Sequence, residues 1–200
     1  MATCFFESHA MSRNLQQHIL QTASELFYSQ GIKATGVDAV VKAAGTTKMS
    51  LYKYFPSKDD LVIAHLRLSQ ENLRRRLMES VVETDLPARQ KLLAVFDVFA
   101  QFQSDPAFRG CPFINASAEF ADDNSPVQQT AAELSESLRQ LLAQLAAEAG
   151  IADADTLSKQ LAMLLAGAMV RERMQRNSGA MAVAKAAAAA LIGLAEAAGA

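Results

Sequence analysis

The residues best suited to chemistry lie in one continuous stretch, Thr46-Thr47-Lys48-Met49-Ser50-Leu51-Tyr52-Lys53-Tyr54-Phe55, between Gly45 and Pro56. It combines aliphatic and phenolic hydroxyls with two lysines. Hydroxyls can bond phosphate oxygens or base edges, and ammonium groups neutralise phosphate charge. Enzyme pockets rarely carry this mixture, whereas short helices lying in a DNA groove often do.

The neighbouring elements must position that stretch. Ile19, Leu20, Ala23, Leu26 and Phe27 recur on one face of a helix. Gly31 is a natural left-handed stop, with Ile32 placed to pack back on the last turn. A second, short helix is predicted from about Val37 to Ala44, with Val37, Val40, Val41 and Ala44 inward and Gly45 ending it. Thr46 and Thr47 then supply a tight turn and an N-cap. Leu51 and Phe55 face inward at i, i+4, which leaves Lys48, Met49, Ser50, Tyr52, Lys53 and Tyr54 largely free. Pro56 breaks the direction, and Ser57 with Asp60 reads as a capping box for a fourth helix. The pattern is a helix-turn-helix followed by a long helix.

Residues Ile19 to Leu66 resemble the amino-terminal domain of the TetR family of bacterial transcriptional regulators. The matching pieces are ILQTASELFYSQGIKATGVDAVVKAAG and TTKMSLYKYFPSKDDL. Two departures stand out: Gly36 where a Ser or Thr often caps the second helix, and Met49 where Gly is common. The resemblance implies that Lys48, Met49, Ser50 and Tyr52 open the recognition helix and contact the groove. It implies that Thr35, Thr46, Thr47, Lys53, Tyr54 and Lys58 hold the phosphate backbone; Tyr54 read alone could equally be core.

Composition supports this picture. Half of the 200 residues are hydrophobic, enough for a substantial core, and the formal net charge is −2. The distribution is more telling than the total. Ser12–Arg76 carries ten Lys and Arg against five Asp and Glu, while Leu77–Ala200 carries nine against fifteen. A basic front and an acidic back suit a protein that presents one end to DNA.

Beyond Ser57 the pattern is helical throughout, so the fold class is all-α. A long connecting helix runs from Ser57 to about Val82, with Leu61, Ala64 and Leu68 inward and Arg74-Arg75-Arg76 near its far end, most simply a solvated or salt-bridged run. Leu86-Pro87, Asp105-Pro106, Ser125-Pro126, Gly150 and Asn177-Ser178-Gly179 punctuate the remaining helices. The division read from these signals is a leader over 1–11, a helix-turn-helix domain over 12–56, and a ligand-binding and dimerisation domain over 57–200. The leader is an upstream start, a cloning remnant or a disordered arm.

Ala162, Ala166, Gly167, Ala186, Ala190, Gly193 and Ala197 give the last two helices small faces that let backbones approach closely. They are ordinary helix-forming residues or a dimer surface. The family resemblance implies the latter, as a four-helix bundle with a twofold mate.

Six of the ten phenylalanines lie between Phe96 and Phe120. Phe96, Phe99, Phe113, Phe120, Met163 and Met169 could wall an apolar ligand pocket, with Asn115, Ser117 and Glu119 as polar handles. The same phenylalanines read equally well as plain core. Gly110-Cys111-x-x-x-Asn115 resembles a string in the ligand domains of some TetR-like regulators. Cys111 is then either a small buried hydrophobe or a thiolate sensor whose pKa is lowered by Arg109 or by a helix start near Pro112.

The inventory argues against catalysis. His9, His18 and His65 have no metal-ligand spacing, the nine glycines form no phosphate-binding loop, and Asp122-Asp123 reads as loop before a cap. A helical enzyme, a ligand carrier or a protein-interaction module are the competing classes, and none needs the Lys48–Tyr54 constellation. No cofactor, metal or catalytic residue is expected. The expected partners are an operator duplex, a second copy of the chain and a small-molecule inducer of unknown identity. Repression is the family expectation, although activators occur. Two cysteines suggest a reduced cytoplasmic protein, and the expected DNA binding implies association with the nucleoid. Lys185 and Glu196 interrupt the alanine-rich tail, which argues against a membrane span.

Overall fold

The computed structural model describes residues 3–199, with side chains described from Asn14 to Ala198. Among the described residues the secondary structure is helical: α1 Thr3–Gln30, α2 Val37–Ala43, α3 Lys48–Tyr54, α4 Lys58–Leu77, α5 Ala88–Ser104, α6 Pro112–Glu119, α7 Pro126–Glu148, α8 Ala154–Met174 and α9 Ala180–Gly199. A wider π-type turn, Met78–Val82, extends α4. Of the expected leader, Met1 and Ala2 lie outside the described residues, as do the side chains through Arg13, including Cys4 and His9; helix α1 itself begins at Thr3.

Packing divides the chain into two units, one of residues Met1–Ser69 with Asn115–Ala131, the other of Gln70–Ile114 with Ala132–Ala200. This differs from the single cut near residue 56 read from the sequence. The end of α6 and the first turns of α7 belong with the amino-terminal helices.

In the first unit, α1, α2 and α3 pack against one another. Ile19, Ala23, Phe27, Val40, Ala44, Leu51, Phe55, Leu61 and Leu66 form the interior. Gly31 takes φ +96°, a conformation L side chains rarely adopt, and so releases the chain from α1. The turn that follows is clamped from three directions. Thr35 Oγ1 donates to the Gly31 carbonyl at 2.7 Å, Lys58 Nζ donates to the Ile32 carbonyl at 2.7 Å, and the Glu119 carboxylate accepts the N–H groups of Ile32 and Lys33 at 3.0 and 2.6 Å. The Lys33 ammonium lies 5.4 Å from the centre of the Phe120 ring. His65 is buried against Phe27 in an edge-on ring contact at 5.8 Å. Burial lowers its pKa to about 4, and its Nδ1 is buried without a hydrogen-bond partner.

In the second unit, α9 packs on α8 and on α5, and α5 on α8. Leu92, Val95, Phe96, Leu142, Leu145, Leu161, Leu165, Ala188 and Ile192 fill the interior. Arg139 ties α7 to α8, reaching Asp155 at 3.0 Å and the fully buried Ser158 hydroxyl at 2.9 Å. Buried Glu172 accepts from the N–H groups of Asn177 and Ser178 and from the Ser178 hydroxyl, closing the turn into α9. The arginine run near the end of α4 is occupied locally: Arg74 pairs with Glu71, Arg75 bonds Asn72, and Arg76 lies over the Phe102 ring.

By length and composition α9 is apolar enough to cross a membrane, despite Lys185 and Glu196. In the fold both charges are paired with α5, Lys185 to Asp97 at 2.6 Å and Glu196 to Arg89 at 3.2 Å. One edge of the helix, Met181, Ala184, Ala188 and Ile192, is buried. The outward face is apolar. Val183, Ala186, Ala190, Leu194 and Ala197 are exposed at spacings of three or four, and on α8 so are Met163, Gly167, Val170 and Met174. Ala162, Ala166 and Gly193, expected on this surface, are half-buried beside it.

Candidate nucleic-acid interface

The reading unit is built from its turn outward. Helix α2 ends as the Thr46 N–H bonds the Val41 carbonyl at 3.0 Å, and Gly45 takes φ +59°. His18 Nε2 lies 3.2 Å from the Ala44 carbonyl and so ties this turn to α1. Thr47 caps α3, its Oγ1 accepting the Ser50 N–H at 3.1 Å. Gly36 gives α2 no side-chain cap, as its residue type requires. Leu51 and Phe55 anchor the inner face of α3 at 0% and 4% exposure. Ser57 Oγ accepts the Asp60 N–H at 3.0 Å and donates to the Asp60 carboxylate, which starts α4.

Anchored in this way, α3 turns Thr47, Lys48, Met49, Tyr52 and Lys53 outward, with Thr46, Ser50 and Tyr54 half-buried. Met49 is 82% exposed and Tyr52 44%. Lys48 pairs with Asp38 of α2 at 2.7 Å, and this hydrogen bond and charge raise its pKa above the ordinary lysine value. Both partners are well exposed, so the pair is weak and a phosphate can compete for the ammonium. Lys53 lies 5.9 Å from the Tyr54 ring centre.

Two residues expected at the phosphate backbone have other duties. Thr35 is 1% exposed and its hydroxyl is bonded to Gly31, so it faces the interior. Lys58 is half-buried with its ammonium on the Ile32 carbonyl, where it terminates α1. A small polar residue in a turn and a lysine at a helix start look the same in sequence whether they serve the fold or a ligand.

The nine residues expected around a ligand fall in both units. Phe96, Phe99 and Met169 belong to the core of the second unit, and Phe113, also buried, falls within that unit's residues. Asn115, Ser117, Glu119 and Phe120 belong to the first unit. Glu119 is committed to backbone amides and Phe120 to Lys33, so neither is a free wall or handle. Met163 is 66% exposed on the outward face of α8, whereas Met169, six residues on, is 5% exposed. Sequence reading missed Gln103, a buried amide donating to the Ala168 carbonyl at 3.2 Å and lying 3.7 Å from the Met169 sulfur. Its only signal was helical spacing, four positions after Phe99 and seven after Phe96 on the buried face of α5.

Cys111 is half-buried against the second unit's core. Burial raises its thiol pKa, outweighing backbone N–H groups from Ile114 and Phe113 that act the other way. Of the two readings of Cys111, this environment favours the small buried hydrophobe over the thiolate sensor, because desolvation of a thiolate dominates. Among the described residues no group of three His, Cys, Asp or Glu is placed to hold a metal ion.

Comparison with known proteins agrees with this geometry. Residues 19–65 match the model of bacterial regulatory proteins of the tetR family, and residues 88–188 match a tetracyclin repressor-like C-terminal domain. The uncharacterized HTH-type transcriptional regulator YxaF of Bacillus subtilis is 28% identical over 75% of this chain and 78% of its own. The HTH-type transcriptional regulator YjdC of Escherichia coli is 25% identical over 81% and 85%. The crystal structure of SCO4454, a TetR-family transcriptional regulator from Streptomyces coelicolor, superposes with a TM-score of 0.85 at 26% identity, covering 90% of this chain and 95% of that one. These relatives are transcriptional regulators and not enzymes. An outward-facing reading helix, both family matches and the shared architecture lead to one assignment: the chain belongs to the TetR family and is a DNA-binding transcriptional regulator.

Proposed function

We propose that the protein is a cytoplasmic, homodimeric repressor that binds a palindromic operator and is released by a small apolar inducer. The observation that carries this reading is the pair of exposed apolar stripes, Met163-Gly167-Val170-Met174 on α8 and Val183-Ala186-Ala190-Leu194-Ala197 on α9. Such stripes on adjacent helices call for a cover, and a twofold mate supplies an identical pair. A dimer then carries two copies of α3, which must meet half-sites ~34–36 Å apart.

The inducer is proposed to enter the second unit's core near Phe96, Phe99 and Met169, where Gln103 provides a buried polar group. Thiol modification is not part of the reading, since burial disfavours the Cys111 thiolate. Release is a linkage: an inducer that prefers a head spacing unsuited to the operator weakens DNA binding by its differential affinity for the two states.

Sedimentation and gel shift together test this. The wild type is expected to sediment as a dimer and to retain its promoter DNA in a salt-sensitive, sequence-selective way. The Val183→Glu, Leu194→Glu double variant should sediment as a monomer and lose that retention. A monomeric wild type, or a variant that stays dimeric, would end the proposal.

A further inference from the structure

We infer that Met49 selects operator sequence by seating its side chain against the C5-methyl of a thymine in the major groove. The inference rests on α3 being the groove helix. Among the described residues of the first unit, the large exposed hydrophobics are Met49 and Tyr52, three positions apart on α3. The other large apolar side chains described in that unit are buried or half-buried, so this exposed stripe is confined to the reading helix.

Its neighbours on α3 are polar and suited to phosphate or to one another. Lys48 holds Asp38, the Ser50 amide holds Thr47, and Lys53 lies beside Tyr54. Met49 offers no donor and only a weakly accepting sulfur, so it gains little from phosphate. On the floor of the major groove the apolar feature that distinguishes one base pair from the others is the thymine methyl. A flexible thioether can adapt to reach it. Each half-site should therefore hold a T·A pair opposite Met49.

The test uses the full-length chain and duplexes selected from a random pool. Each thymine of the selected site is replaced in turn by deoxyuridine, which pairs identically but lacks the methyl. Loss of one buried methyl is expected to weaken wild-type binding about fourfold, and loss in both half-sites on the order of fifteenfold. The effect should be confined to one symmetry-related thymine pair and absent in Met49→Ala, whose fold is checked by an unchanged melting temperature. Selective binding that ignores every deoxyuridine, or an equal penalty in Met49→Ala, overturns the inference and leaves the DNA-binding reading intact. Selection of no duplex at all would overturn both.

Discussion

Glu119 accepts the Lys33 backbone N–H at 2.6 Å, although the two residues are 86 positions apart in the chain. Its other oxygen takes the Ile32 N–H at 3.0 Å, and a Cβ built at Gly31 would lie 3.5 Å from that oxygen. The carboxylate thus completes the turn that leaves α1. Glu119→Ala is expected to expose one part-buried amide without a partner and to cost about 1–3 kcal/mol. Hydrogen exchange at Ile32 should accelerate, and Glu119→Gln, which keeps an acceptor, should be milder. Unchanged exchange at Ile32 in the alanine variant would contradict this account.

His65 makes the first unit acid-sensitive. Its pKa is about 4 in the folded protein against an ordinary 6.5, because burial disfavours the charged ring. The unfolded chain therefore takes up a proton that the folded chain refuses as pH falls between those values. Stability is full above pH 6.5, declines toward pH 4 by about 3 kcal/mol, and loses nothing more from this group below that. Denaturant midpoints between pH 7 and pH 4 should show the decline in the wild type and a smaller one in His65→Phe. Parallel curves would exclude His65 as the source.

Thr35 and Lys53 should separate fold from DNA binding. Thr35→Val removes a buried hydrogen bond to Gly31 and should cost about 1–2 kcal/mol of stability, with the salt dependence of DNA binding unaltered. Lys53→Ala should leave the melting temperature in place. Its slope of log-affinity against log-salt should become shallower by ~0.9 for each phosphate that the ammonium no longer neutralises. A reversed pattern would mean that the assignment of these two side chains is wrong.

Cys111 should be slow to react. In a Cys4→Ser background, thiol labelling at neutral pH is expected to be far slower in the native protein than after denaturation, because burial raises the pKa. Equal rates in the two states would restore the thiol as a candidate sensor.

The helix boundaries were readable because periodicity and punctuation agreed. Ser57 with Asp60, Gly31 and Gly45 each act where their chemistry places them. The outer face of α3 followed directly from Leu51 and Phe55. Pairings between residues distant in sequence were not readable. Glu119, Lys58 and Thr35 are polar residues that satisfy backbone groups, and nothing local distinguishes such a duty from ligand binding. Met163 and Met169 share a residue type and a helix, yet six positions turn one outward and the other inward. The exposed face of α8 and α9 carries the small residues Ala186, Ala190 and Ala197 noted in the sequence, while its bulk comes from Met163, Met174, Val183 and Leu194.

The amino-terminal unit is not one unbroken length of chain, since residues 115–131 return to it. Those residues bring Glu119 together with the buried Ala116, Val127 and Ala131. A chimera that swaps only the first seventy or so residues onto another regulator's body would leave the transplanted reader without these partners. Re-targeting by module exchange therefore calls for a two-piece graft, in which the returning segment travels with the helices it completes.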